Sequence, residues 1–152
     1  MKQKRSITGF TLLFLALVSS ITFAAETYEI NKQCRTQPQL MMKTVTITED
    51  ETIISFSFKA EKDYSKTGWI NVQPPGHDRS FYITDVRKAK KYYLLDAEGI
   101  AISPNGNKLK IGDQLDFTLI FEKIPMKRFH LIEGKIDDKD MTSWHFTNVK
   151  LK

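Results

Sequence analysis

Apolar and polar side chains alternate along much of this chain with a period of two residues, the repeat of a β-strand that buries one face. The clearest stretch, residues 116–134, holds two apolar runs separated by Pro125. Large apolar side chains recur at every second position of both runs: Phe117, Leu119, Phe121, Phe129 and Leu131. Because a proline cannot donate to a strand ladder, the pattern predicts two strands that cross a corner of a β-sandwich.

The same alternation predicts further strands on both sides of this stretch. Residues 44–48 and 52–58 predict one hairpin, and residues 81–86 and 91–95 predict a second. Shorter strands are expected at 69–72, 100–102, 109–111 and 143–151. No 12-residue window after the first 24 residues has a helical period. Seven to nine short strands with turn signals between them predict an all-β, immunoglobulin-like antiparallel β-sandwich.

The apolar faces of these strands predict one contiguous core. Period-2 alternation places large apolar side chains on a single face of four strands, whose other faces carry mostly Thr, Ser and His. The expected core residues are Ile54, Phe56, Phe58, Phe117, Leu119, Phe121, Phe129, Leu131, Trp144 and Phe146.

The first 24 residues have the three parts of a signal peptide. Three basic residues precede an apolar run at 10–18, and Thr22 and Ala24 place small side chains at −3 and −1 of a cleavage site after Ala24. An uncleaved membrane anchor is the alternative, but the apolar run is short for a span. The sequence predicts a periplasmic or secreted protein without a stable membrane anchor after cleavage. We divide the chain into a signal peptide (1–24), a polar N-terminal lead-in (25–43) and a β-sandwich domain (44–152). One short edge strand within residues 25–40 is the alternative to a lead-in without any strand.

Charge and length limit the classes of partner. Removing 24 of the 152 residues leaves 128, the size of one domain. The mature chain keeps 20 Lys and Arg against 18 Asp and Glu, a net charge of +2. This charge is spread along the chain, whereas a nucleic-acid footprint is a clustered basic patch, so we expect no nucleic-acid partner.

The chain has one cysteine, Cys34, so it cannot form an internal disulfide. In an exported protein a single thiol either pairs between chains or stays unpaired. We expect an unpaired thiol near a flexible N-terminal segment, and packing of the core must then hold the domain together.

Several segments resemble an immunoglobulin-like domain common in exported proteins of Bacteroidetes-type bacteria. The resemblance rests on TVTITEDETIISFSF, FTLIFEKIP, FHLIEG and the Trp-bearing last strand SWHFTNVKL, and it covers roughly residues 44–151. It implies a β-sandwich, which in that family often precedes a thioredoxin-like module. Such a module with its CxxC motif is missing from this chain, and the family implies no activity that can be assigned to particular residues.

Catalytic and metal chemistry have weak support in the sequence. The chain has three histidines, His77, His130 and His145; the last two fall on the polar faces of their strands and would be neighbours if those strands pair. Two histidines without a third ligand do not make a metal site, and the acidic loop 137–140 lacks the spaced ligands and glycine of a calcium loop. We expect no metal and no cofactor.

Two carboxylates, Asp85 and Glu133, stand near strand ends within apolar runs, which is the setting that raises the pKa of a catalytic acid. The more ordinary interpretation is that backbone N–H groups or a basic neighbour hold each carboxylate.

The best candidate for binding is the long connection at residues 60–80. It combines aromatic and basic side chains with turn residues, a composition typical of recognition surfaces, and the candidates are Tyr64, Trp69, His77 and Arg79. Trp69 also fits the start of a core strand. Two hypotheses follow: a non-catalytic exported module that binds a protein or glycan at the cell envelope, and a small periplasmic enzyme whose site is assembled across strands.

Overall fold

A computed structural model describes residues 24–66, 70–135 and 143–152. This part of the chain is all-β, as predicted, and no helix in it is long and apolar enough to cross a membrane. The eight strands are β1 (Glu26–Gln33), β2 (Leu40–Ile47), β3 (Glu51–Lys59), β4 (Phe81–Asp85), β5 (Lys91–Glu98), β6 (Gln114–Glu122), β7 (Arg128–Glu133) and β8 (His145–Lys150).

The strands form one antiparallel, nearly closed sheet in the order β1-β2-β3-β6-β5-β4-β7-β8. β5 belongs to both halves of this sheet, because its first residues pair with β4 and its later residues pair with β6. A register shift between Leu94 and Asp96 separates the two pairings. At the opposite side, the backbone N–H of Arg35 donates to the carbonyl of His145 at 3.3 Å, so the chain after β1 meets the start of β8. The result is barrel-like, with one interior for the core.

Both predicted hairpins are confirmed. β2 and β3 pair through a turn in which Thr48 N–H donates to the Glu51 carbonyl at 2.9 Å and the Thr48 hydroxyl accepts the Glu51 N–H at 3.0 Å. β4 and β5 pair with Tyr82 opposite Tyr93 and Thr84 opposite Lys91. In β3 every second side chain is buried, which is the alternation that the sequence shows.

The predicted core is confirmed as one cluster. All ten expected residues are buried within it, together with side chains from the remaining strands. Phe56 and Phe117 stack at a centroid distance of 5.0 Å, and Trp144 lies 5.9 Å from Phe117 across the interior. Aromatic pairs of this geometry add about 0.5–1.5 kcal/mol each beyond burial of their area.

The two strands of 116–134 occupy different halves of the sheet, as predicted. β6 pairs with β3 and β5, whereas β7 pairs with β4 and β8. The chain passes between them through an elbow that includes Ile124 and Pro125. Ile124 is buried, so the elbow is anchored in the core.

The polar segment 25–43 contributes more structure than the sequence suggests. It contains β1 and the first residues of β2, so no break in the sheet coincides with residue 44. β1 has only Tyr28 fully buried, because an edge strand exposes most of its side chains. Leu40 and Met42 point into the core, and a register shift between Met42 and Thr44 interrupts the alternation that would have revealed the strand.

Cys34 is an unpaired thiol, as expected, but it does not lie in a flexible segment. Its side chain is 2% exposed and belongs to the core. The thiol donates to the His145 carbonyl at 3.6 Å, where the chain after β1 meets β8. A buried thiol at this seam is not placed for pairing between chains.

None of the short strands predicted at 69–72, 100–102 and 109–111 is among the eight strands of the described residues, and 100–102 contributes one isolated bridge through Ile102. Among the described residues of 69–72, Ile70 and Val72 make single bridges to Asn107 and Ile102, and 109–111 has no strand pairing. Ile111 is 69% exposed, so its apolar character does not mark a buried strand. The signal peptide apart from Ala24, and the acidic loop 137–140, lie outside the described residues.

Candidate functional site

A cavity of about 420 Å³ opens where the β3–β4 connection meets the end of β7 and the start of β8. It contains two of the four predicted binding residues, Tyr64 and Arg79. The rest of its described lining comes from neighbouring segments: Gln37, Lys62, Ile70, Asn71, Gln73, Glu133, Gly134, Ser143 and Trp144. Aromatic rings, amides and both signs of charge therefore meet in one concave surface.

Tyr64 is held firmly at the wall of this cavity. Its side chain is 7% exposed, and its ring meets Phe58 edge-on at a centroid distance of 5.9 Å. Its backbone N–H donates to the Leu109 carbonyl at 2.7 Å. Burial, and secondarily the charge of Glu61, raises the pKa of the Tyr64 hydroxyl. The phenol is therefore neutral near pH 7 and can both donate and accept a hydrogen bond.

Trp144 and Glu133 also line this cavity. A carboxylate oxygen of Glu133 accepts the backbone N–H of Trp144 at 2.8 Å. The Trp144 ring packs against Phe58 and Phe81 at 6.3 and 6.0 Å. The ring is thus fixed by the core on one side while the residue reaches the cavity on the other.

The cavity also has amide groups that are suited to hydrogen bonding. The side-chain amide of Asn71 donates to the Asn105 carbonyl at 2.7 Å, which fixes the orientation of Asn71 and leaves its oxygen as an acceptor. Gln73 follows two residues later and is half-buried. Both residues stand in the β3–β4 connection, where the strand predicted at 69–72 is replaced by irregular backbone.

The structure does not bring all four predicted residues together. His77 lies in a smaller cavity with Tyr82, Lys91 and Tyr93. Its ring nitrogen Nδ1 accepts the Arg79 N–H at 3.1 Å, so this ring stabilises the local turn. Trp69 lies outside the described residues, and Trp144 supplies the indole of the described lining instead.

Sequence reasoning missed most residues of the cavity. The alternation around Trp144 predicted a core residue and gave no indication of binding. Ser143 and Gln37 are distant in sequence from the predicted binding region at residues 60–80. Glu133 carried no binding signal in the sequence, and its carboxylate accepts the backbone N–H of Trp144. Asp85 is held in the same way, since its carboxylate accepts the Ala89 N–H at 2.9 Å. For both acids the ordinary interpretation agrees with the contacts.

His130 and His145 lie on neighbouring strands, and His145 pairs with Ile132, two residues along β7 from His130. β7 and β8 are neighbours, and both imidazoles line a second cavity on the outer face of the sheet. In the described part of the chain, no three His, Cys, Asp or Glu side chains converge in a way that could hold a metal ion.

The first cavity can therefore offer a ligand two aromatic side chains and several hydrogen-bonding groups on a rigid scaffold. Its described lining has one carboxylate, Glu133, so it does not present the pair of carboxylates that glycoside hydrolysis commonly requires. Comparisons of this chain with models of protein families, with curated proteins and with solved structures found no match.

Proposed function

We propose that this protein is an exported, non-catalytic binding module with an immunoglobulin-like fold that recognises a glycan at the cell envelope. The signal-peptide pattern of residues 1–24 supports export to the periplasm or beyond. The resemblance to immunoglobulin-like domains of exported Bacteroidetes-type proteins is consistent with the same location. The cavity that contains Tyr64 and Trp144 carries the proposal of binding.

The strand order supports the immunoglobulin-like part of the proposal. With β1 set aside as an additional edge strand, the remaining strands read β2-β3-β6-β5 and β4-β7-β8. Lettered A to G in chain order, this is the ABED and CFG arrangement of the constant-type immunoglobulin sandwich. On this interpretation the two sheets of the sandwich are joined through β5, which pairs with β4 in its first residues and with β6 in its later residues.

The composition of the cavity supports a glycan more than an apolar ligand. Sugars present hydroxyl groups that both donate and accept hydrogen bonds, and amides such as Gln73 match them with one donor group and one acceptor. Tyr and Trp combine an apolar ring surface with a polar tip, which suits the two sides of a pyranose ring. Arg79 adds a fork of N–H donors.

Binding of a glycan array by the purified protein tests the proposal. We expect one class of oligosaccharide to bind, with a change in tryptophan fluorescence because Trp144 lines the cavity. Arg79→Gln and Gln73→Ala should each weaken the affinity for that oligosaccharide roughly tenfold, about 1.4 kcal/mol. Both side chains lie outside the core cluster, so the fold should persist in both variants.

His77→Gln is the matched control, because His77 is close in sequence but lines another cavity. It should bind the oligosaccharide like the wild type. Equal binding by all four proteins, or no glycan binding at all, would contradict the proposal and favour a protein partner. Release of shortened oligosaccharides would instead identify the protein as a small periplasmic enzyme.

A further inference from the structure

A second cavity, of about 490 Å³, lies on the outer face of β7 and β8, away from the cavity proposed to bind a glycan. Four segments converge on it: the chain after β1, the β4–β5 turn, β7 and β8. Its described lining comprises Arg35, Thr36, Lys88, His130, Ile132, His145 and Thr147. No carboxylate is part of that lining, so all its ionisable groups are bases.

The two permanent cations of this cleft, Arg35 and Lys88, have no hydrogen-bond or ion-pair partner for their side chains within the described residues. The position of Lys88 is set by a tight turn. Its backbone N–H donates to the Asp85 carbonyl at 2.9 Å, and its φ of 60° is in the left-handed region that non-glycine residues seldom occupy. The turn places Lys88 in the described lining of the cleft, while the Asp85 carboxylate stands outside that lining.

Hydrogen bonds orient both imidazoles. Nδ1 of His130 accepts the Asn148 backbone N–H at 3.1 Å, so the neutral ring carries its proton on Nε2. Nε2 of His145 lies 3.1 Å from the Glu133 carbonyl, an acceptor, so this nitrogen carries the proton of the neutral His145 ring. The neutral His130 ring therefore presents an N–H donor at Nε2.

The electrostatic surroundings of His130 include two permanent cations. Burial, followed by the charges of Lys88 and Arg128, holds the pKa of His130 below its usual value, while Asp85 acts in the opposite direction. Arg35 and His145 line the same cleft from the neighbouring segments. An anion placed among these groups would offset the repulsion and favour the protonated imidazoles.

The surface beneath the cleft is also polar where it is buried. Thr84 pairs with His130 across β4 and β7, and its hydroxyl is buried without a hydrogen-bond partner among the described residues. Buried hydroxyl groups are normally paired. Thr84 is not part of the described lining of the cleft, so its hydroxyl is a polar group behind His130 and not a contact for a ligand.

We propose that this cleft binds a doubly charged oxyanion, a phosphate or sulfate group carried by a small polar molecule. The guanidinium of Arg35 matches the geometry of such a group, and the ammonium of Lys88 supplies a second point charge. The cleft is larger than one inorganic anion needs, so the molecule that carries the group has room beside it. This inference does not depend on the glycan proposal, because the two cavities share no described lining residue.

Calorimetric titration of the purified protein with sodium sulfate tests the inference, with sodium chloride at matched ionic strength as the reference. We expect saturable binding at pH 6 that weakens at least fivefold at pH 8. Sulfate keeps its charge across this range, so the change reports the imidazoles. The NMR titration of the His130 ring should show its pKa rising when sulfate is present.

Arg35→Gln and Lys88→Gln should each weaken sulfate binding at least tenfold. Lys108→Gln removes an exposed charge elsewhere and should have no effect. All three positions are exposed, so the folded protein should be retained, and thermal unfolding checks this. Equal weakening by all three substitutions, or no saturable binding at pH 6, would overturn the proposal.

The kind of molecule that carries the anion can be identified by measuring the binding of three probes: glucose 6-phosphate, glucose, and vesicles containing phosphatidylglycerol. Binding of glucose 6-phosphate but not of glucose supports a soluble phosphorylated or sulfated molecule. Binding to the vesicles alone would show that the basic face serves a membrane surface, and the proposal would then be wrong.

Discussion

The backbone N–H of Ile124 donates to the buried hydroxyl of Thr52 at 3.0 Å, across 72 positions of sequence. Thr52 is the second residue of β3 and Ile124 lies in the elbow that follows β6, so this bond ties the elbow to the start of β3. Both residues are almost completely buried. Water does not reach the backbone N–H of Ile124, so this group depends on the Thr52 hydroxyl for its hydrogen bond.

Replacing Thr52 with Val should lower the free energy of unfolding by about 1–3 kcal/mol, because the shape is kept while the buried N–H of Ile124 loses its acceptor. Urea denaturation measures this difference. Thr118→Val is the control, since Thr118 is half-buried on the outer face of β6. A Thr52→Val protein as stable as the wild type would show that the hydrogen bond does not hold the corner.

Phe121→Ala should cost roughly 3–5 kcal/mol of unfolding free energy, the usual penalty for truncating a fully buried phenylalanine. Thr118→Ala, on the other face of the same strand, should cost less than half as much. The register places Phe121 opposite both Thr52 of β3 and Leu94 of β5, in the middle of the sheet. If Thr118→Ala were the more damaging change in chemical denaturation, β6 would be shifted by one residue.

A comparison of alanine substitutions at Gly99 and Gly76 separates the stability cost of backbone strain from that of a steric clash. Both have a positive φ, of 76° and 80°, so alanine at either position should cost about 1–2 kcal/mol through strain. A Cβ on Gly99 would also lie 2.9 Å from the Asp116 carbonyl oxygen, whereas a Cβ on Gly76 would meet nothing within 4 Å. Overpacking of this kind typically costs a further ~1–3 kcal/mol.

Thermal and urea unfolding of Gly99→Ala and Gly76→Ala should therefore rank Gly99→Ala as clearly the less stable protein. Equal losses would mean that the turn after β5 can move away from β6. That result would contradict the close approach of the two backbones at Asp116.

The stability of the fold should depend on the protonation of His130. Its pKa in the folded protein is below the ordinary histidine value of 6.5, first because of burial and then because of Lys88 and Arg128. The unfolded chain therefore binds a proton more readily, and this contribution to stability is present above pH 6.5 and is lost as the pH falls through the folded pKa.

His130→Asn should reduce the loss of stability between pH 7 and pH 5, because the Asn oxygen can still accept the Asn148 N–H but does not titrate. Urea unfolding of the wild type and of His130→Asn at several pH values measures the two slopes. An unchanged slope in His130→Asn would show that another group carries the pH dependence.

Much of the fold could be predicted from the sequence alone. The period-2 alternation in β3, β6 and β7 identified the strands, and Pro125 identified the corner between the last two. The same alternation identified the core side chains correctly, since a one-residue slip would have turned Phe121 and Leu131 outward. These features depend on neighbours along the chain, which a sequence displays directly.

The full extent of the strand at the edge of the sheet, and the sets of residues that line the two cavities, were determined by the tertiary structure and could not be predicted from the sequence. β1 left only a weak pattern, compatible with one short edge strand, because an edge strand needs only one buried side chain, Tyr28, and can otherwise be polar. Tyr64 and Trp144 line one cavity because β8 pairs with β7. Arg35 and Lys88 line the other because the chain after β1 packs beside β8. The order of the strands thus determines which residues that are distant in sequence share a cavity. The alternation along each strand determines which face is buried, but the packing of all eight strands determines which side chains become neighbours.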